Sequence, residues 1–119
     1  MPSTPSKLPT KPLVDILHNI QLAVEFTQEM GYEDFCKDLR TVYAVTPCFE
    51  IISEASRRLP RQMKARHPAI PWTDIAGAGN IYRHGYEDVL EQILWQTLKH
   101  ALEPLKAVVE AELLRLDAG

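Results

Sequence analysis

The clearest helical pattern in the chain is "PLVDILHNIQLAVEFTQEM", residues 12–30. One set of side chains recurs at the three- and four-residue spacing of an α-helix, which places them on a common face. That face consists of Leu13, Ile16, Leu17, Ile20, Ala23, Val24 and Thr27. Pro12 suits a first helical turn, and Gly31 suits the position just past a helix end. The pattern therefore predicts a first helix over about residues 12–30, buried along one side.

A second helical pattern starts near Glu33 and Asp34, two acids that favour a helix N-terminus. Its apolar positions are Phe35, Leu39, Val42, Tyr43, Phe49, Ile52 and Leu59. Pro47 falls inside this pattern, where it removes a backbone donor and crowds the preceding turn. We therefore expect a kink or a break at Thr46.

Two more helices are predicted after the proline-rich connection "HPAIPW", residues 67–72. A short one spans about residues 72–81, with Thr73 or Asp74 as its cap. A long one runs from Asp88 into the C-terminal region and should bend at Pro104. Its apolar face comprises Leu90, Ile93, Leu94, Leu98, Leu102, Leu105, Val109 and Leu113.

These patterns predict one all-α domain over residues 12–119, a four- to five-helix up-and-down bundle. Residues 1–11 are rich in proline, serine and threonine and are predicted to be a disordered tail. No apolar run reaches the roughly 18 residues of a membrane span, and the N-terminus lacks the apolar core of a signal peptide. The chain is therefore predicted to be cytoplasmic, without a membrane partner.

The two cysteines, Cys36 and Cys48, are far apart and form no CxxC pair. Neither a disulfide nor a metal site is predicted from them, because metal sites need more ligands at closer spacing. The net charge of −3 over 119 residues does not demand a nucleic-acid partner, but it does not exclude a local basic patch.

The segment "NIYRHGYED", residues 80–88, concentrates polar and titratable side chains around one glycine. A histidine such as His84 can exchange a proton near neutral pH, and Arg83 offers a fork suited to phosphate. Cleavage of a phosphodiester needs a base, an acid and a cation of this kind. The alternative reading is that His84 and Tyr86 only cap and cover the core.

A second cluster, "RRLPRQMKARH", residues 57–67, concentrates positive charge. The cations of this basic segment are Arg57, Arg58, Arg61, Lys64 and Arg66. Such a cluster can hold a nucleic-acid backbone by charge, which makes these residues candidates for RNA binding. The alternative is a solvated last turn of the second helix, where cations complement the helix dipole.

The ordered combination of "EIISEASRRLP" (residues 50–60) with "HPAIPWTDIAGAGNIYRHGYEDVLEQILWQTLKHALEPLK" (residues 67–106) resembles the HepT-like branch of the HEPN superfamily. The resemblance extends from about residue 15 to residue 112. It implies a homodimeric all-helical toxin of a bacterial toxin–antitoxin pair, whose partner is an MNT-type nucleotidyltransferase. It also implies RNA cleavage without metal or other cofactor.

The family motif is Arg, four to six residues, His, any residue, Tyr. His84 and Tyr86 match its last two positions, so the resemblance implies catalysis by His84 and AMP attachment by the partner enzyme to Tyr86. Asn80 matches the polar residue that follows the motif arginine, and Arg83 adds a cation beside His84. Gly79 stands at the arginine position itself. Loss of that cation would cost about a hundredfold or more in rate, which predicts a weakened ribonuclease.

Three hypotheses therefore stand. The chain is a HepT-like ribonuclease toxin with Asn80, Arg83 and His84 in the catalytic site. Alternatively, it is a non-catalytic dimer that binds a nucleotidyltransferase and accepts AMP on Tyr86. In the third reading it is a helical interaction module that shares only the fold.

Overall fold

The computed structural model describes residues 8–77 and 87–118, and the side chains of residues 8–77 and 91–118. Every regular element in these ranges is an α-helix, so the all-α prediction is confirmed there. The helices are α1 (Thr10–Phe26), α2 (Tyr32–Lys37), α3 (Leu39–Arg57), α4 (Arg61–Ala65), α5 (from residue 72, described to residue 77), α6 (Glu87–His100) and α7 (Leu102–Ala118).

The core forms mainly where α1 packs against α3 and α7. α1 runs antiparallel to α3, because Arg58 at the end of α3 reaches Asp15 in the first half of α1. Side chains from all three helices are completely buried; they include Leu13, Ile16, Val45, Leu105 and Val109. The face predicted for α1 is largely confirmed, although Val24 remains 42% exposed.

The first helix begins and ends earlier than predicted, at Thr10 and Phe26. Gly31 does not follow its last turn directly. It precedes α2 with extended backbone, and the Asp34 carboxylate accepts a hydrogen bond from its N–H at 3.2 Å. The left-handed residue in this connection is Glu29, with φ of 64°. Gly31 therefore serves the start of α2 rather than the end of α1.

The predicted break at Thr46 is wrong, because α3 continues through Pro47. The carbonyl that Pro47 leaves without its helical partner belongs to Tyr43, a residue that is 70% exposed, so water can satisfy it. The break lies at Asp38 instead. The Asp38 carboxylate caps α3 by accepting two hydrogen bonds from Thr41, one from the backbone N–H at 3.3 Å and one from the side-chain hydroxyl at 2.9 Å.

The bend predicted at Pro104 is an interruption at Ala101, between α6 and α7. In a continuous helix the ring of Pro104 would crowd the carbonyl of His100. In α7 it occupies the first turn, where the missing N–H has no intrahelical partner to lose. Ala101 joins the two helices, donating to the Thr97 carbonyl at 2.9 Å and accepting from the Leu105 N–H at 3.1 Å.

The short helix after the proline-rich connection begins at residue 72, as predicted. Thr73 and Asp74 lie inside its first turn rather than at its cap, because the first helical hydrogen bond runs from the Ile75 N–H to the Pro71 carbonyl. The predicted end at residue 81 lies outside the described residues. α2 contacts α6 through Phe35 and Trp95, whose ring centroids are 5.4 Å apart.

Both cysteines are free, and burial raises the pKa of the Cys48 thiol. Within residues 8–118, apart from the gap at 78–86, no helix is long and apolar enough to cross a membrane.

Candidate functional site

The five motif positions singled out in the sequence lie outside the described residues, so their roles stay predictions. They are Gly79, Asn80, Arg83, His84 and Tyr86. The helices on both sides of them are described: α5 leads into this motif segment (residues 78–86), and α6 begins at residue 87.

The carbonyl oxygen of Ala76, in α5, accepts two hydrogen bonds from side chains of α3. The Ser53 hydroxyl donates at 2.8 Å, and Nη2 of Arg57 donates at 2.6 Å. Ser53 and Arg57 are four residues apart, so the helix places both on one face. These two bonds tie the end of the described part of α5 to α3, just before the motif segment.

The second arm of the Arg57 guanidinium is also engaged. Its Nη1 donates to the Glu54 carboxylate at 2.8 Å, one helical turn earlier on α3. Both side chains are substantially exposed, so this ion pair adds little stability by itself. Its physical effect is to hold the plane of the guanidinium while the other arm contacts the Ala76 carbonyl.

The middle of the basic segment is held by Trp72. Its indole N–H lies 3.1 Å from the Lys64 carbonyl and 3.0 Å from the His67 carbonyl, donating to both. The Lys64 ammonium in turn donates to the Ser56 carbonyl at 3.2 Å. The tryptophan of the "IPW" stretch therefore fixes the connection between α4 and α5.

The far end of the basic segment meets a buried carboxylate on α7. Nε and Nη2 of Arg66 donate to the two Glu112 oxygens at 3.2 and 2.6 Å, and Nε2 of His67 lies 2.6 Å from one of them. Only 4% of the Glu112 side chain is exposed. The hydrogen bonds from Arg66 lower the pKa of the Glu112 carboxyl, against the effect of burial, and the same bonds raise the pKa of Arg66.

The five candidate RNA-binding residues therefore fall into two groups, those that are paired with a carboxylate and those that are not. Arg57, Arg58 and Arg66 each contact a carboxylate; for Arg58 the partner is Asp15, at 3.8 Å. Among the described side chains, Arg61 and Lys64 have no carboxylate partner. The alternative reading placed all five cations in the last turn of the second helix. Only Arg57 lies there, because α3 ends at Arg57 and Arg61–Ala65 forms a separate helix, α4.

Sequence reasoning missed Ser53 and Glu112, the two polar groups that organise these contacts. A signal was present for both. Ser53 falls four residues after Phe49 on the apolar stripe of α3, and Glu112 falls three residues after Val109 on that of α7. Both side chains are buried in the structure. A polar side chain on a buried stripe needs a partner, since its desolvation is otherwise uncompensated.

No three His, Cys, Asp or Glu side chains among those described are grouped closely enough to hold a metal ion.

Comparison with known proteins gives a consistent result. The sequence model of the family described as "Ribonuclease HepT-like" matches residues 16–112. A "Probable ribonuclease HepT" from Thermococcus cleftensis is 41% identical over 98 residues, covering 82% of this chain and 89% of that protein. A "Putative RNase" from Methanocaldococcus jannaschii is 33% identical over 98 residues, with 82% and 84% covered.

Another protein named "Putative RNase", from Caldanaerobacter subterraneus, is 32% identical over 104 residues, covering 87% of this chain and 93% of that protein. No solved structure matches the chain.

Proposed function

The chain belongs to the HepT-like ribonuclease family, and we therefore propose that it is an endoribonuclease that cleaves RNA without a metal ion. The observation that carries the proposal is the family match over residues 16–112, which encloses the motif segment with His84 and Tyr86. The names of the relatives point to the same activity. The MNT-type partner, the toxin role and the cytoplasmic location are further parts of this proposal.

In the proposed reaction a ribose 2′-hydroxyl attacks the adjacent phosphorus. His84 takes the proton of that hydroxyl, the new O–P bond forms, and the bond to the 5′ oxygen breaks as an acid donates a proton to it. One chain contributes a single motif histidine, so we propose that a homodimer brings a second copy of His84 to the cleft as the acid. Asn80 and Arg83 complete the proposed site.

The cation at the developing phosphorane charge is the weak point of this site. Gly79 supplies no side chain, and we propose that Arg83, next to His84 in the sequence, provides the charge instead. In the proposed complex, Arg61 and Lys64 contact the RNA backbone, because no carboxylate among the described side chains neutralises them. Arg57, Arg58 and Arg66 contribute less to RNA binding, since each is paired.

The decisive experiment is cleavage of labelled RNA by the purified protein in excess EDTA. We expect slow cleavage by the wild type and a loss of about a hundredfold or more in His84→Ala. Gly79→Arg should raise the rate, and His84→Ala should abolish that gain. A folded wild type and a folded Gly79→Arg variant that both leave RNA intact would contradict the proposal.

Gly79 also favours a second function, in which the chain is a non-catalytic dimer that accepts AMP on Tyr86 from its partner nucleotidyltransferase. The test is intact-mass spectrometry after incubation with the partner, ATP and magnesium. One added AMP that is absent in Tyr86→Phe supports this role. Equal labelling of Tyr86→Phe would assign the modification to another residue.

A further inference from the structure

We propose that Arg57 is a positioning residue for the motif segment, acting through the carbonyl of Ala76. It does not itself need to touch the RNA. The inference rests on the proposed ribonuclease function for its kinetic consequences, but the contact on which it depends is independent of that function. Arg57 and Ser53 together donate to one oxygen at 2.6 and 2.8 Å.

Two donors on one carbonyl make a strong local constraint. A carbonyl oxygen has two lone pairs, and here side chains of another helix can use both. The Arg57 bond is charge-assisted, which strengthens it relative to a neutral hydrogen bond, and solvent around the 38% exposed guanidinium reduces that gain. Ser53 is buried within α3, so the pair connects the entry of the motif segment to a helix that is itself anchored in the core.

The constraint lies close enough to the motif to matter. Gly79 is three positions beyond Ala76, so its Cα lies within about 11 Å of the Ala76 Cα whatever path the chain takes. A reacting group displaced by about 1 Å can lose a hundredfold in rate. Loss of the Arg57 contact should therefore be felt in the chemical step rather than in binding.

The neighbouring Arg58 offers a matched control. It has the same charge and similar exposure, 48% against 38% for Arg57. Its guanidinium faces Asp15 on α1, at 3.8 Å, instead of α5. Arg58→Met therefore removes the same charge from the same end of α3 without removing a contact to the entry of the motif segment.

The kinetic test compares Arg57→Met, Arg57→Lys and Arg58→Met with the wild type in RNA cleavage. Arg57→Met should lower kcat by roughly ten- to a hundredfold with KM close to that of Arg58→Met. Arg57→Lys should recover part of kcat, because an ammonium can still donate to the Ala76 carbonyl. An unchanged kcat in Arg57→Met would overturn the proposal. A higher KM with equal kcat in Arg57→Met and Arg58→Met would also overturn it, and would identify Arg57 as a phosphate contact.

A second measurement keeps the inference testable if the wild type does not cleave RNA. Hydrogen–deuterium exchange of peptides that cover residues 77–90 reports on the motif segment directly. Exchange there should be faster in Arg57→Met than in the wild type and unchanged in Arg58→Met. Faster exchange without wild-type cleavage removes the ribonuclease function but supports positioning. Equal exchange in all three proteins removes the positioning role, whatever the activity.

Discussion

The basic segment has an arginine at each end, Arg57 and Arg66, and the two arginines contact different kinds of partner. At the α3 end, Arg57 contacts an exposed carboxylate and a backbone carbonyl beside the motif segment. At the other end, Arg66 and His67 enclose a carboxylate that is almost fully buried on α7. The role of each arginine depends on the group it contacts. Arg57 donates to the Ala76 carbonyl, which is why we propose that it positions the motif segment. Arg66 stays 37% exposed but pairs with the buried Glu112, which gives it a structural role.

We expect the largest loss of stability from Glu112→Gln, which removes the carboxylate that Arg66 and His67 contact. The change leaves Arg66 and His67 facing a neutral amide in a buried site, and we expect the free energy of unfolding to fall by about 1–3 kcal/mol. The exposure of Arg66 keeps this below the cost of a fully buried ion pair. Urea unfolding followed by circular dichroism measures it.

The matched control is Glu110→Gln, which removes an exposed carboxylate from the same helix. It should change stability by less than about 0.5 kcal/mol. Equal losses in the two variants would show that the contacts of Glu112 contribute no more than general surface charge.

The contribution of Glu112 should also depend on pH. Its pKa is lowered in the folded protein, chiefly by hydrogen bonds from Arg66, so the unfolded chain binds more protons in the acid range. The stability from this group is present above its ordinary pKa of about 4.5 and is lost as pH falls through the lower folded-state pKa. Unfolding measured between pH 7 and pH 3 should show wild type and Glu112→Gln converging towards acid, and a constant gap would contradict this.

A smaller effect is expected from Trp72→Phe, which removes the indole N–H shared by the Lys64 and His67 carbonyls. We expect a loss of about 1 kcal/mol from the hydrogen bond, because much of the ring is retained. Trp72 lies on α5 four residues before Ala76 and contacts the carbonyl of His67 next to Arg66, so we expect both kcat and Tm to fall. A Trp72→Phe protein that loses only one of them would show that the two ends are fixed independently.

The smallest expected effect is a gain from Gly77→Ala in α5. Among the described residues outside its own helix, no atom lies within 4 Å of a Cβ at this position, and glycine inside a helix costs up to about 1 kcal/mol relative to alanine. Tm should therefore rise by a few degrees. A fall in Tm would show that residue 77 needs the conformational freedom of glycine where the chain enters the motif segment.

The sequence could predict those parts of the fold that one helix determines alone. The apolar stripe of α1 and the start of α5 followed from periodicity and from proline positions, since both depend on neighbours within a few residues. The break at Asp38 and the continuity through Pro47 did not. The break depends on the Asp38 carboxylate, which caps α3 in the middle of an amphipathic pattern. The continuity through Pro47 depends on which side of α3 faces water.

The candidate site also has features that the sequence could predict and features that it could not. Periodicity and residue type indicated that the basic segment and the motif segment matter. They could not show that Ser53 and Arg57 meet Ala76, or that Arg66 meets Glu112, 46 positions later, because these contacts exist only when separate helices pack together. Polar residues on buried stripes were the available clue, and they indicate the need for a partner without identifying it.

The most direct test of this division is to measure kcat for RNA cleavage and Tm side by side for Arg57→Met and Arg66→Met. We expect opposite results for the two variants. Arg57→Met should lose kcat with nearly unchanged Tm. Arg66→Met should lose Tm, while its kcat, measured well below the unfolding transition, should stay close to that of the wild type. If both variants instead show the same rise in KM, with kcat and Tm unchanged, the basic segment is a single RNA-binding patch and the division is wrong.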